Sequence, residues 1–468
     1  MNNINAHTVK AKHKSGRNLR WRSGFIGLSI LFLLVETRVE AQTAQAPPQL
    51  TVLPAQLTVR QALDIALINN AIVRSAQAEL EQAEGQYGQS KGILLPQIGI
   101  SARQGLQTVN LQGFGIDVPS ASVPSKIGPF GSMDARIVLT QDLLNIAGIR
   151  SSKSYSQRLE SSNFRLQNAR EVVTLNVIGA YLEAMRAKAS RDTLIEQAKL
   201  ATDLYQITND RFRQGVSSEL DTNRAKQQVN SLEQQRQEAE YSYIAARLNL
   251  AQFLQVSITS DFEVSDQAAY GSGQAMEREA TVQAALMARP DYRAATAAVS
   301  AAQLQIESIE ATRLPTVKMR LSDGQSGNSP VHNVNVYSLQ GLIEFPIFTS
   351  GRIKGEVLEA EGKLKQALSG MDRTRAQIEA DALTAVAGVE WALREVQTSA
   401  ENVGLSRREV EMSRARFVQG IADNTEVVNA QDRLSRADDA SIRAQYTLGL
   451  ARANLARAVG GAERSYRR

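Results

Sequence analysis

Residues able to carry acid, base or thiol chemistry are scarce in this sequence. Its 468 residues include no cysteine, which removes thiolate nucleophiles, thiolate metal ligands and disulfides. Of its three histidines, His7 and His13 lie close to the N-terminus and only His332 follows. His332 ends the loop-like stretch from Asp323, where a lone imidazole fits solvent better than a metal. There is no phosphate-cradling glycine loop, no spaced ligand cluster and no Ser/His pairing. The expectation is therefore a protein that is not an enzyme and takes no cofactor. The distinctive carboxylates are Asp221 and Glu426, each a few residues past a glycine turn. At the first turn of a helix, an acid is favoured by the helix dipole.

The elements that position these acids are written twice. Arg211-Phe212-Arg213-Gln214-Gly215-Val216 runs on to Leu220-Asp221, and Arg416-Phe417-Val418-Gln419-Gly420-Ile421 runs on to Glu426-Val427. Gly215 and Gly420 fit the place just past a helix C-terminus, where a left-handed backbone is needed. Ser217-Ser218 and Asp423-Asn424-Thr425 supply turn and N-cap chemistry for the next helix. Each copy reads as the tip of a long antiparallel helical hairpin.

Charge is confined to one end. Residues 1–41 read as a secretory signal: Lys10, Lys12, Lys14, Arg17, Arg20 and Arg22 precede the apolar run Phe25 to Val35. That run is too short to span a bilayer as a mature helix. The segment holds seven Lys/Arg against two Asp/Glu, the whole of the chain's net +5. The remainder is formally neutral, so the basic balance does not point to nucleic acid. With no Cys after the signal, a lipid-anchored N-terminus is not expected.

Residues 42–57, with three prolines, read as an extended linker. The first repeat is expected over 58–256. It opens with one helical run from about Val59 to Ile93, stopped by Leu94-Leu95-Pro96. Alternating apolar residues then predict strands at about 97–112 and 133–141, separated by a Gly/Pro/Ser-rich loop. Gly148 to Arg213 contains no Pro, and as a helix would be roughly 100 Å long. Leu194, Ala198, Ala201, Tyr205, Thr208 and Phe212 alternate steps of four and three, a coiled-coil spacing. Another helix follows Gly215, and 257–280 reads as a connector.

Then the sequence starts over. Ala66-Leu67 aligns with Ala285-Leu286, Arg74 with Arg293 and Leu95-Pro96 with Leu314-Pro315, all at one offset. The second repeat, 281–460, predicts strands at about 316–323 and 334–345, then a second Pro-free helix and a last helix after Gly420. Its seams include Val389, Leu393, Val396, Ala400 and Val403, and Leu434, Ala437, Ser441, Ala444, Leu448, Ala451 and Leu455. Trp391 is expected to pack within the coiled coil. The tail, 461–468, is expected to fray. A repeat of this size governs the fold.

Four strands cannot close a barrel alone, and exposed edges are not tolerated in lipid. Pooling strands from several chains would solve this. Helices of this length suit a tube rather than a compact globule.

At this point the sequence resembles the TolC-like outer membrane efflux proteins. The residues that carry the likeness are Leu94-Leu95-Pro96 and Leu314-Pro315, Phe345-Pro346-Ile347-Phe348 with Gly351, and the two Arg-Phe-x-x-Gly tips. It covers about 58–460. The resemblance implies a mainly α fold with a β-barrel portion. It implies a homotrimer whose twelve-stranded barrel lies in outer membrane lipid and continues into a periplasmic coiled-coil tunnel. It also implies a passive exit duct for efflux or type I secretion, docking with a periplasmic adaptor protein and an inner-membrane transporter. Two places depart from the family pattern. Asp142 stands where the second copy has Pro346, and Asn70-Ala71 where it has Arg289-Pro290.

By the same resemblance, the tunnel narrows just past the turn of the second repeat, at Glu426 and Asn429. Three Glu426 carboxylates around an axis would attract cations. Asp221 is the first-repeat match and in relatives joins a latch. The latch's basic partner would stand two residues past Gly420, where this chain has Ala422, which leaves Arg224 or another pairing to replace it. Phe212, Gly215, Phe417 and Gly420 mark the expected adaptor contact. Phe114, Phe130, Tyr337, Phe345 and Phe348 flank the strands as candidate interfacial girdles. The competing reading is a secreted periplasmic coiled-coil adaptor or scaffold without a channel. The four strand segments decide between them.

Overall fold

Thr58 begins the first helix as a capping box. Its Oγ1 accepts the Gln61 N–H, and the Gln61 side chain accepts the Thr58 N–H. This is a computed structural model, which describes residues 53–115, 126–257, 262–265, 270–271 and 277–467. The expected signal at 1–41 and most of the linker lie outside the described residues. In chain order the first repeat holds β1 (Gln56–Leu57), α1 (Val59–Asn69), α2 (Ala71–Gly92), β2 (Gln97–Asn110), β3 (Lys126–Leu144), α3 (Ile146–Arg213) and α4 (Glu219–Leu254). A short strand β4 (Glu263–Val264) follows. The second repeat holds α5 (Arg278–Ala288), α6 (Pro290–Ala311), β5 (Thr316–Gly327), β6 (Asn333–Glu344), α7 (Arg352–Val418) and α8 (Asn424–Ala458), and α9 (Ala462–Arg467) ends the chain.

The duplication is preserved to the residue. Val59 and Arg278, Ala71 and Pro290, and Gln97 and Thr316 open matching elements, each pair 219 positions apart. The expected single helix from Val59 to Ile93 is corrected to two. Asn70 leaves the helix with ψ 130°, and its Oδ1 accepts the Ile72 N–H at 2.9 Å. Its Nδ2 donates to the Phe253 carbonyl at 3.0 Å, tying the break to α4. Arg289 breaks the second copy just before Pro290, also extended at ψ 126°. Asn70 does by capping what Pro290 does by geometry.

The strands form one antiparallel sheet in the order β2-β3-β5-β6. The strands outrun expectation: β3 starts at Lys126 rather than at 133, and β5 runs on to Gly327. Main-chain pairing explains this. Gly131 and Ser132 pair with Leu106 and Gly105, so Gly- and Ser-rich residues still ladder. Register places Ile98, Leu139, Leu321 and Leu339 in one row across all four strands. Ile100 and Ile137 continue that face, and Val317 with Ile343 lies toward the helices. Ile98, Ile100, Leu339 and Ile343 are each 67–82% exposed. The other face carries Gln97, Thr140, Arg320 and Gln340 in one row and Gly99, Val138, Ser322 and Ser338 in the next. Among the described residues, no further strand pairs with the outer edge of β2 or of β6.

α3 and α7 have 68 and 67 residues, each about 100 Å long. Each packs antiparallel on its hairpin partner, α3 on α4 and α7 on α8, and α3 also packs on α8. The seam of α3 near its tip follows Ala201, Leu204 and Thr208, with Phe212 41% exposed rather than in the seam. Trp391 is 52% exposed within the single chain and so does not pack in its own hairpin seam. Its neighbour Ala392 takes the buried position because small residues let the helices approach.

The main core lies at mid-height, where α1, β1, β4, α4 and α9 surround Val173 to Ala187 of α3. β1 pairs with β4 in parallel and closes this belt from the linker side. The expected fraying of the tail is also corrected. Residues 462–467 form α9, with Tyr466 8% exposed in the core. Arg467 pairs with Asp64 at 2.7 Å, and the Glu171 carboxylate accepts the Ala462 N–H at 2.8 Å.

Candidate functional site

At both tips the helix ends in the same hydrogen-bond pattern. Gly215 N–H donates to the Phe212 carbonyl and Val216 N–H to that of Arg211. Gly420 donates to Phe417 and Ile421 to Arg416 in the same way. This is the Schellman arrangement, and both glycines have φ +75°. A side chain at either place would be strained, so the duplicated glycine is dictated by the turn.

The acids sit where each next helix starts. The Ser218 Oγ accepts the Asp221 N–H, and the Ser218 N–H and Oγ donate to Asp221 Oδ2, the latter at 2.6 Å. The Ser218 hydroxyl, helped by its backbone N–H, holds the Asp221 carboxyl below its usual range. This carboxylate is therefore engaged within its own turn. Asp423 caps α8 by accepting the Glu426 N–H at 3.2 Å. Glu426 Oε1 is 3.1 Å from Arg416 Nε, across the turn from the end of α7. Asn429 is exposed one helical turn further on.

Side chains from the two hairpins meet here. Leu204 of α3 packs with Phe417 and Val427 in a small core. Arg211 Nη1 donates to the Phe417 carbonyl at 2.9 Å, and its guanidinium lies 4.9 Å from the Phe417 ring centre. A cation thus meets the carbonyl end of α7, where the helix dipole is negative. Asn424, fully buried, donates from Nδ2 to the Asp221 carbonyl at 2.9 Å. Arg224 Nη1 donates to Thr425 Oγ1 at 3.0 Å. Higher up, Gln228 reaches Asp432 at 2.8 Å and Gln197 reaches Asp438 at 3.0 Å.

Phe212, Gly215 and Gly420 are exposed at the tip, whereas Phe417 is 5% exposed and holds the hairpins together. Arg224, named from sequence as a substitute partner, does bridge the tips, but to Thr425 and not to Asp221. Sequence reasoning missed the cross-tip contacts of Arg211 and Asn424 and the pairing of Arg416 with Glu426 on its own tip. The available signal was that Arg211 and Arg416 occupy the same place in the two motif copies.

Elsewhere, Tyr337, Phe345 and Phe348 are 60–86% exposed beside the sheet, Phe130 is half-buried, and the Phe114 side chain lies outside the described residues. His332 contacts Ser329 in the β5–β6 turn. Among the described residues, no group of three or more acids or histidines is arranged to hold a metal. No described helix is long and apolar enough to cross a membrane.

The family description "Outer membrane efflux protein" matches residues 62–254 and 281–461, the two repeats in turn. The pyoverdine export outer membrane protein OpmQ of Pseudomonas putida is 24% identical over 405 residues, covering 86% of this chain and 85% of that one. Protein CyaE of Bordetella pertussis is 25% identical over 359 residues, 72% of each chain. Among solved structures, the outer-membrane channel OprN superposes with a TM-score of 0.73 at 18% identity, covering 86% of this chain and 90% of that one. The outer membrane protein VceC of Vibrio cholerae gives 0.73 at 18% identity, covering 86% and 96%.

Proposed function

This chain belongs to the outer membrane efflux protein family, and we propose that three copies of it assemble into a single duct gated at the helical tips. As a member of that family it is an outer-membrane channel with a large periplasmic helical part, an exit route for efflux or secretion. In the assembly, the β2 edge of one copy pairs with the β6 edge of the next, and three four-stranded sheets close one barrel of twelve strands. The observation that carries this is the sheet itself. It has two open edges, one face with a row of exposed aliphatic side chains and one polar face. That is the pattern of a strand between lipid and a watery lumen. A soluble adaptor has no use for such a face.

At the other end, Asp221, Glu426 and Asn429 form the constriction, and the exposed turns at Phe212, Gly215 and Gly420 meet a periplasmic adaptor. Phe417 supports that contact from beneath. The adaptor links the duct to an inner-membrane transporter, which supplies the energy. Arg211, Asn424 and Arg224 hold the second hairpin against the first and take the place of the latch that Ala422 cannot make.

The test is the mass and location of the mature protein. Envelope fractions extracted in mild detergent are expected to yield a trimer from the outer membrane by light scattering corrected for detergent. A soluble monomer or dimer in the periplasm would overturn the duct and leave an adaptor.

A further inference from the structure

The polar face of the sheet is not electrically even. Over the regular ladder from Gln97 to Gln107 of β2, it carries Arg103, Arg136 and Arg320 with a single acid, Asp134. Asp134 is taken by Arg136 on its own strand and lies directly across from Arg103. Arg320 has no acid in its row, where Gln97, Thr140 and Gln340 are all uncharged. The neighbouring row on one side, Gly99, Val138, Ser322 and Ser338, is neutral as well. On the other side Lys318 faces Asp142 and forms an ion pair with Glu344 at 2.9 Å. At the helix end of this face Asp142 and Glu344 thus stand beside Lys318, one row from Arg320, while further out Arg103 and Arg136 face the single acid Asp134, so the excess cation lies in the far part. The opposite face has one charged residue in this ladder, Asp323.

Arginine keeps its charge at any physiological pH and binds carboxylates and phosphates through a planar, many-donor head. In a closed barrel each such position repeats around the axis, and low-dielectric walls focus the field of the ring into the lumen. We propose that the barrel lumen of this protein carries a cationic ring formed by Arg103 and Arg136 and extended toward the helices by Arg320. The ring favours anionic cargo, carboxylate- or phosphate-bearing, as it leaves the duct. This rests on the trimeric duct proposed above. It makes the exit opposite in sign to the acidic constriction proposed at Glu426. Anionic cargo would therefore be repelled at the tips until they open, and attracted once it reaches the barrel.

The experiment uses the full-length protein in planar bilayers, with inositol hexakisphosphate as the probe. Added on the barrel side, the polyanion is expected to block current in wild type in a voltage-dependent way. The Arg103→Gln/Arg320→Gln variant should lose block by about tenfold or more, the scale of a focused charge ring. Arg320→Lys, which keeps the charge, should retain most of it, and Lys318→Gln, whose charge is already paired, should change it little. Conducting channels whose barrel-side block is the same in wild type and in Arg103→Gln/Arg320→Gln would overturn the ring while leaving the duct intact. If the extracted protein is not a trimer, the duct fails, and the ring with it.

Discussion

Arg211 and Arg416 stand at the same place in two copies of one motif and make different contacts. Arg211 crosses to the other hairpin and caps the carbonyl end of α7, whereas Arg416 stays on its own tip and pairs with Glu426. The pairing changes what the proposed Glu426 ring can do. At 39% and 53% side-chain exposure, this ion pair adds little stability. It does, however, offset the field of each carboxylate at the proposed constriction. Arg416→Ala is therefore expected to make the duct more cation-selective, and Glu426→Ala to shift it toward anions. Reversal potentials in asymmetric KCl measure both, and a shift in the same direction for the two variants would contradict the assignment. Gly215 and Gly420 were legible in sequence because a left-handed turn admits few other residues. The reach of Arg211 was not. Its acceptor is a main-chain carbonyl 206 positions away, and nothing in the spacing of the motif specifies what a guanidinium meets in space.

Among the elements, the long helices, the hairpins and the order of strands followed from Pro stops and hydrophobic period, because each signal is local. Three features were hidden for want of one. The break at Asn70 lacks the proline of the second copy. The early start of β3 depends on pairing and not on propensity. The short helix α9 exists because the belt holds it. Arg170 and Arg467 bond the Glu463 carboxylate, and Arg170 in particular holds it below its ordinary 4.5. Glu171, which receives the α9 N-terminus, is pushed the other way by burial. The signs separate the two acids. A lowered carboxylate stabilises the docked helix above about pH 4.5, and that contribution is lost as pH falls through its lower folded value. A raised carboxylate costs stability as pH climbs above 4.5 through its folded value. Hydrogen exchange at 462–467, corrected for intrinsic rates, is expected to quicken below pH 4.5 in wild type. Glu463→Gln should be loose already and flat across that range. Equal pH dependence in both proteins would show that another group docks the helix.

For the whole molecule, the decisive property is that the two faces of one sheet have opposite solvents. The sequence showed the alternation of β2 and β5 but could not say which residues of different strands share a row, because register is fixed by pairing. The register puts Leu339 in the aliphatic row with Leu321, Leu139 and Ile98, and its neighbour Gln340 in the polar row with Arg320. A lysine at either place adds the same charge to the same strand. Facing lipid near the midplane it costs on the order of 2–4 kcal/mol, repeated in each copy, whereas in a water-filled lumen it costs little. Leu339→Lys is therefore expected to abolish heat-resistant oligomer in the outer-membrane fraction, and Gln340→Lys to leave it close to wild type. Semi-native electrophoresis of membrane extracts reads both. Equal tolerance of the two substitutions would mean that the aliphatic row faces water, and a preference for Leu339→Lys would mean that the faces are assigned the wrong way round. In that case Arg320 would point into lipid, a placement that three unpaired guanidinium groups per barrel would make untenable.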